Sequence, residues 1–269
     1  AIRKVVAIGG DLHKVALLDN FCWCSSDEPE RLYELKEAAR ACYDYAVAYE
    51  APFISGKDSM FNDFKGYDSD GQPVKISVPP TLLISSIATM DDVRQSVTVD
   101  FKHSGHIVYL LGETKAELGG GEYLAWLAKN TQTTCLGTAV PQVDAEVNQE
   151  LYQCYHQALQ AGLITSGIPL DRAGLAAALM KSVIGGQLGA DIDLKKISKK
   201  LSLSELLFSE SNGRFLVSVP EAKYKRFEQI MHKVVCQRIG VVADSEALRI
   251  GYGKQEVAAV AVEKLTKAY

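Results

Sequence analysis

The sequence predicts a mixed fold in two parts, a partial α/β sheet domain followed by an α+β domain. Three observations carry this. Short apolar runs flank one long amphipathic helix over the first hundred residues, a polar stretch at 91–102 interrupts the pattern, and beyond it strands and helices mix without strict alternation. With 269 residues, 47% of them hydrophobic, the chain can bury two modest cores, and the domains are expected at 1–100 and 103–269.

Val15 to Phe21 (VALLDNF) is a short apolar run carrying Asp19 and Asn20, which suits a buried strand with polar groups at its C-terminal end. Ser25 with Glu28 three residues on reads as a capping box, and Pro29 favours the first helical turn. Leu32, Leu35, Ala38, Ala39, Cys42, Ala46 and Tyr49 then recur at steps of three and four, one apolar stripe on a helix ending near Glu50. Pro52 to Gly56 reads as a second strand running into a tight turn, Asp68 to Gly71 as an exposed turn, and Thr81 to Met90 as a strand buried on both faces. The polar stretch 91–102 reads as a linker.

The second part opens with a strand over His106 to Leu111. Helices are expected from about Asp144 to Leu163 and from Asp171 to Ile184, the second followed by Gly185-Gly186-Gln187-Leu188-Gly189. Gly213 to Val219 reads as a strand and Glu221 to His232 as a helix. Short strands near Ile239 and Leu248 precede a last helix around Val257 to Lys267. The opening Ala1 to Ile8 is amphipathic and already in mid-pattern, with no initiator Met and no signal peptide, so the sequence reads as a piece of something longer.

A formal charge of −4 gives no basic excess for gripping a nucleic-acid backbone. Apolar runs such as Val108 to Leu111 fall far short of the roughly 20 residues a membrane helix needs, so neither nucleic acid nor membrane is expected as a partner. Six scattered cysteines, Cys22, Cys24, Cys42, Cys135, Cys154 and Cys236, point to reduced thiols in a cytoplasmic enzyme. Cys22 and Cys24 make only a CxC pair with no second knuckle, which argues against zinc.

The sharpest local feature is Ser55-Gly56-Lys57-Asp58-Ser59-Met60 after an apolar strand. A glycine there lets backbone N–H groups approach an anion, Lys57 can neutralise phosphate, Asp58 can hold magnesium and Ser59 can donate to a phosphoryl oxygen. The full GxxxxGK[ST] loop is absent, so a solvated loop stands as the alternative. Asp19, at a strand end, either reaches metal or nucleotide or caps a turn with Asn20. Gly119-Gly120-Gly121 reads as a flexible helix start more than a phosphate seat, Arg214 as the partner of a surface acid, and the five histidines as surface or core residues.

Four blocks in order carry a resemblance. Ala16 to Phe21, Pro52 to Met60, Leu110 to Thr114 with Glu117 to Gly120, and Phe208 to Ser211 with Gly213 to Phe215 are similar to successive blocks of phosphoribosylformylglycinamidine synthase, over essentially the whole chain. The resemblance implies the aminoimidazole ribonucleotide synthetase-like fold of paired repeats. Residues 1–100 would be most of the second repeat's sheet domain, without its first strands, and 103–269 that repeat's C-terminal α+β domain.

The resemblance implies an ATP-dependent carbon–nitrogen ligase of purine biosynthesis that amidates formylglycinamide ribonucleotide, using ATP, Mg2+ and ammonia from a glutaminase domain or subunit. It implies Asp19 and Gly56 as nucleotide-binding and Ser59 as substrate-binding. Lys57 occupies the position where many relatives carry an Asn metal ligand; an ammonium cannot ligate magnesium, so a metal is either absent or held by Asp58. Ile168 to Leu175 keeps only the Gly-Leu end of a family segment. No residue here is expected to be catalytic, because those groups belong to the missing first repeat, and the fragment is expected to be inactive alone and to pair as a homodimer. A structural nucleotide-binding module is the alternative; another ATP-using relative, such as a thiamine-phosphate kinase or selenophosphate synthetase, fits the blocks less well.

Overall fold

The computed structural model describes residues 1–134 and 137–269. Cys135 lies outside the described residues. The chain divides into two compact units, one of Ala1–Val5 with Asp11–Thr89 and one of Val6–Gly10 with Met90–Tyr269. A short helix, α1, runs over Ile2–Ala7.

In the first unit β1 (Val15–Cys22) is central, between β2 (Phe53–Ser59), parallel to it, and β5 (Thr81–Ala88), antiparallel. Helix α2 (Pro29–Ala48) covers one face, with Leu35, Ala38 and Cys42 packed on Phe21, Trp23 and Cys24. Part of the expected stripe therefore faces the sheet, while Leu32 stays 52% exposed. The expected capping box does not form. The helix begins at Pro29 with Glu28 as N-cap, and the Ser25 hydroxyl instead bonds Asp27. A hairpin, β3 (Asp63–Tyr67) and β4 (Pro73–Ser77), turns through Asp68, whose Oδ1 accepts from the N–H groups of Asp70 and Gln72. The turn was legible and the flanking strands were not.

Two readings of this unit need correction. Pro52 to Gly56 does not run into a turn, because β2 continues to Ser59, held by its ladder to β1. Nor is Thr81 to Met90 buried on both faces: β5 alternates half-buried and exposed residues, since a helix covers only one side of the sheet.

The second unit is a seven-stranded sheet of order β12-β11-β8-β10-β6-β9-β7. Its strands are β6 (Ile107–Leu111), β7 (Ser166–Pro169), β8 (Gly189–Asp193), β9 (Phe215–Val219), β10 (Cys236–Ala243), β11 (Ala247–Tyr252) and β12 (Gln255–Ala261). Only β8 and β11 pair in parallel. Helices α5 (Gly174–Gly186), α6 (Leu203–Phe208) and α8 (Val262–Ala268) bury Leu175, Leu179, Leu206 and Val262 against Val108, Leu110 and Leu216. On the opposite face α4 (Ala145–Gln160) and α7 (Tyr224–Ile230) contribute Tyr155, stacked on Phe215 at 4.5 Å, and Phe227, 4.9 Å from Tyr109. With helices on both faces, β6 and β9 are buried along their whole length, which explains their unbroken apolar runs. Helix α3 (Glu122–Thr131) completes the unit.

Residues 91–102 are not a free linker. Phe101 is 2% exposed in the core and its N–H donates to the Ser182 carbonyl. The glycines at the end of α5 serve close packing: a Cβ at Gly186 would stand 2.2 Å from the Phe101 carbonyl oxygen, and one at Gly189 2.0 Å from that of Ser245. The last expected helix is half strand. Gln255–Ala261 pairs with β11, and helix begins only at Val262, because alternating small residues there fit an edge strand as well as a helix.

Candidate functional site

Residues paired across a parallel ladder point to the same side of the sheet, and successive residues alternate. Asp19 is opposite Gly56, Asn20 opposite Lys57, Phe21 opposite Asp58 and Cys22 opposite Ser59. Asp19, Gly56 and Asp58 therefore share the face of Phe21, which α2 covers. Lys57 and Ser59 share the opposite, open face with Asn20 and Cys22. The five candidate residues of the first unit do not form one cradle. The ladder divides them into two pairs and leaves Asp58 exposed near the helix side.

The first pair is Asp19 with Gly56. A Cβ at Gly56 would lie 2.1 Å from Asp19 Oδ1 and 2.7 Å from its carboxyl carbon. The carboxylate thus lies across the backbone of β2, and only glycine leaves room for it. Gly56 has no positive φ, so close approach and not backbone freedom is what the position requires. Burial, with the nearby charge of Asp19, pushes the Cys42 thiol up. The second pair is Lys57 with Ser59, Nζ donating to Oγ at 2.6 Å.

A magnesium centre does not fit these residues. Among the described residues no three His, Cys, Asp or Glu side chains gather as a metal-binding set, whereas magnesium demands near-octahedral oxygen ligation. Asp58 and Asp19 lie on the face away from Lys57 and Ser59.

In the second unit two segments about a hundred residues apart are laced together. Lys115 N–H donates to Ser211 Oγ at 3.1 Å and Glu117 N–H to Ser209 Oγ at 3.3 Å, while Glu210 N–H donates to the Glu117 carbonyl. Arg214, expected to meet a surface acid, is fully buried and donates to neutral oxygens. Its Nη1 donates to Thr114 Oγ1 at 2.9 Å, its Nε to the Ser211 carbonyl at 3.0 Å and its Nη2 to the Ser209 carbonyl. A guanidinium at this depth is tolerated because oxygens meet its donors.

Gly119 to Gly121 lead into α3, with Gly121 as its N-cap. One carboxylate oxygen, Glu210 Oε1, accepts from the Glu122 N–H at 2.8 Å and from the Ala173 N–H at 2.9 Å. The positive end of α3 is therefore already met by a carboxylate of the chain itself. The same oxygen holds the 168–175 segment, where Gly174 (φ +58°) could not carry a Cβ, which would stand 2.4 Å from the Ser209 carbonyl oxygen. Glu210 and Thr114 were not singled out as site residues from sequence. They pair over long range, where periodicity carries no signal.

His106 Nδ1 lies 3.0 Å from Thr165 Oγ1, and burial, with the charges of His103 and Lys223, lowers its pKa. Burial and Glu228 push the Cys236 thiol up to about 12, and burial raises Cys154. The five described cysteines are unbonded. A cavity of about 510 Å³ lined by Arg94, Lys102, His103 and Thr165 sits at the C-terminal end of α4. Its cations are engaged, Arg94 with Asp92 and Lys102 with Asp100, and Lys223 nearby caps the Gly162 carbonyl.

The family model for the AIR synthase related protein, C-terminal domain, matches residues 103–253, more than half of the chain. The chain belongs to this family. It is 29% identical, over its whole length, to the phosphoribosylformylglycinamidine synthase subunit PurL of Methanocaldococcus jannaschii, spanning 35% of that protein. Among solved structures, Thermotoga maritima PurL complexed with FGAR aligns over 98% of this chain and 41% of its own, at 20% identity and a TM-score of 0.72. The same enzyme complexed with ATP aligns over 98% of this chain and 39% of its own, at 19% identity and a TM-score of 0.66. These last two establish the fold. The chain thus spans about a third of the curated relative and about two-fifths of the solved ones. No helix among the described residues is long and apolar enough to cross a membrane.

Proposed function

We propose that this chain is the C-terminal half of a phosphoribosylformylglycinamidine synthase, an ATP-dependent carbon–nitrogen ligase acting in the cytoplasm. One observation carries the reading, the end-to-end match to a PurL subunit. In this reading the first unit, Ala1–Val5 with Asp11–Thr89, is the partial sheet domain of a second repeat, and the second unit holds its C-terminal domain. The amide oxygen of formylglycinamide ribonucleotide attacks the γ-phosphorus of ATP and ADP leaves. Ammonia, delivered by a glutaminase partner, then adds to the activated carbon, phosphate departs and an amidine remains. The protein's contribution is positioning and charge stabilisation.

The roles proposed within this chain are few. Asp19, over Gly56, accepts hydrogen bonds from the nucleotide, and Ser59 contacts substrate. Magnesium enters only as the counter-ion that ATP carries. The open face of the first unit, where Leu83 and Ile87 are 59% and 54% exposed, is proposed to cover itself with a second copy when the chain is isolated. Sedimentation as a strict monomer contradicts that pairing.

A nucleotide held as a fixed structural ligand is the second reading, favoured by the lack of a three-residue acid, His or Cys cluster among the described residues. Exchange of bound nucleotide during turnover separates the two. For the main reading, formylglycinamide ribonucleotide, ATP and ammonia should yield amidine when the chain is part of a polypeptide of its relatives' length, and none when it is assayed alone. Steady turnover by the chain alone contradicts the half-site view, and no ATP-dependent amidine from the longer polypeptide contradicts the function.

A further inference from the structure

Lys57 and Ser59 project from the same edge strand onto the open face, and the acids of the strand pair are on the other side. After donating to Ser59 Oγ, the ammonium keeps two further N–H donors, and Ser59, whose oxygen accepts that bond, keeps its O–H. Lys57 makes no ion pair among the described residues. The ladder neighbours on this face, Asn20 and Cys22, carry no carboxylate, and Leu83 stands across β1 from Lys57, opposite Asn20. The face thus offers convergent donors and one uncompensated positive charge at one side, with an apolar shelf beside them.

We propose that Lys57 and Ser59 form a seat for a phosphoryl group that works without a divalent metal, Lys57 supplying the charge compensation that a metal ion would otherwise give. This rests on the functional reading above and adds the ligand class and the metal-independence of the subsite. A dication beside Lys57 would be repelled by the ammonium and would find no set of oxygen ligands, whereas a phosphoryl oxygen gains a charge-assisted hydrogen bond from Nζ and a second from the serine hydroxyl. Two sources share this chemistry, the polyphosphate tail of a nucleotide and the 5′-phosphate of a ribonucleotide.

The test is titration calorimetry of the 269-residue chain with inorganic tripolyphosphate and with ribose 5-phosphate, each in excess EDTA and in magnesium. At least one probe should bind in EDTA, and which one binds names the source. Lys57→Gln should weaken that binding about tenfold, Lys57→Arg should retain most of it, Ser59→Ala should weaken it less than Lys57→Gln, and Lys65→Gln, on the neighbouring hairpin, should leave it unchanged. The proposal is overturned if neither probe binds the folded chain in EDTA, if binding requires magnesium, if Lys57→Gln binds as well as wild type, or if Lys65→Gln loses as much. Any of these leaves the proposed function standing, because that is read from amidine formation.

Discussion

Arg214 and Lys57 are both cations in polar, glycine-containing segments. The second unit buries Arg214 completely and surrounds it with two carbonyl oxygens and a threonine hydroxyl. The first unit leaves Lys57 exposed on an uncovered sheet face, bonded only to its strand neighbour Ser59. Helices on both sides of the seven-stranded sheet bury Arg214 where its donors meet oxygens inside the protein. The three-stranded sheet has a helix on one side, so its other side can answer to a ligand. The same residue chemistry is scaffold in one unit and candidate site in the other, and burial decides which.

The largest expected effect breaks the scaffold side of this contrast. Arg214→Leu strips partners from the Thr114 hydroxyl and the Ser209 and Ser211 carbonyls, and should lower unfolding stability by about 4 kcal/mol. Lys57→Leu should leave the denaturation midpoint unchanged. Equal midpoints for the two variants in urea melts would remove the distinction between the units. Next comes Gly174→Ala, which places a Cβ 2.4 Å from backbone oxygen at φ +58° and should cost about 2 kcal/mol. Glu210→Ala should cost about 1 to 2 kcal/mol by baring the N–H groups of Glu122 and Ala173; hydrogen exchange at those two amides should accelerate together. Protection retained at both would show that Glu210 does not hold them.

A smaller effect concerns pH. His106 is kept below its ordinary pKa, so the unfolded chain binds its proton more readily than the folded one. Its contribution is intact above a pH of about 6.5 and is lost as pH falls through the lowered value. Thermal melts should show the midpoint dropping as pH falls below about 6.5, and His106→Gln should flatten that drop. An unchanged slope in the variant would assign the pH response elsewhere.

Much of the architecture could be read from sequence where one local rule governs an element. The α2 helix, the Asp68 turn and the buried strands β6 and β9 follow from periodicity, turn chemistry and unbroken apolar runs. Readings failed where a distant partner decided the outcome. Ser55 to Ser59 looked like a turn because its residues are turn-formers, and pairing with β1 made it a strand. Gln255–Ala261 fits a helical stripe until β11 is present to pair with it. For the site, Asp19, Gly56, Lys57 and Ser59 were identifiable as residues worth attention, but their division between two faces depends on ladder register, which one strand alone does not reveal. The roles of Glu210 and Thr114 were invisible, since each acts on a segment about forty to a hundred residues away.

The account rests most directly on Asp19 and Gly56 acting as one unit toward a nucleotide. Asp19→Asn removes the charge, and Gly56→Ala places a methyl group 2.1 Å from Asp19 Oδ1 and must swing the carboxylate away. The decisive measurement is a double-mutant cycle on ATP affinity, read by titration calorimetry in the longest polypeptide that contains this chain. Each single change should weaken binding by about tenfold, and the double variant should be no weaker than either single, a coupling of about 1 kcal/mol or more. Losses that simply add, or wild-type affinity in both single variants, would contradict the assignment of this strand pair as the nucleotide site.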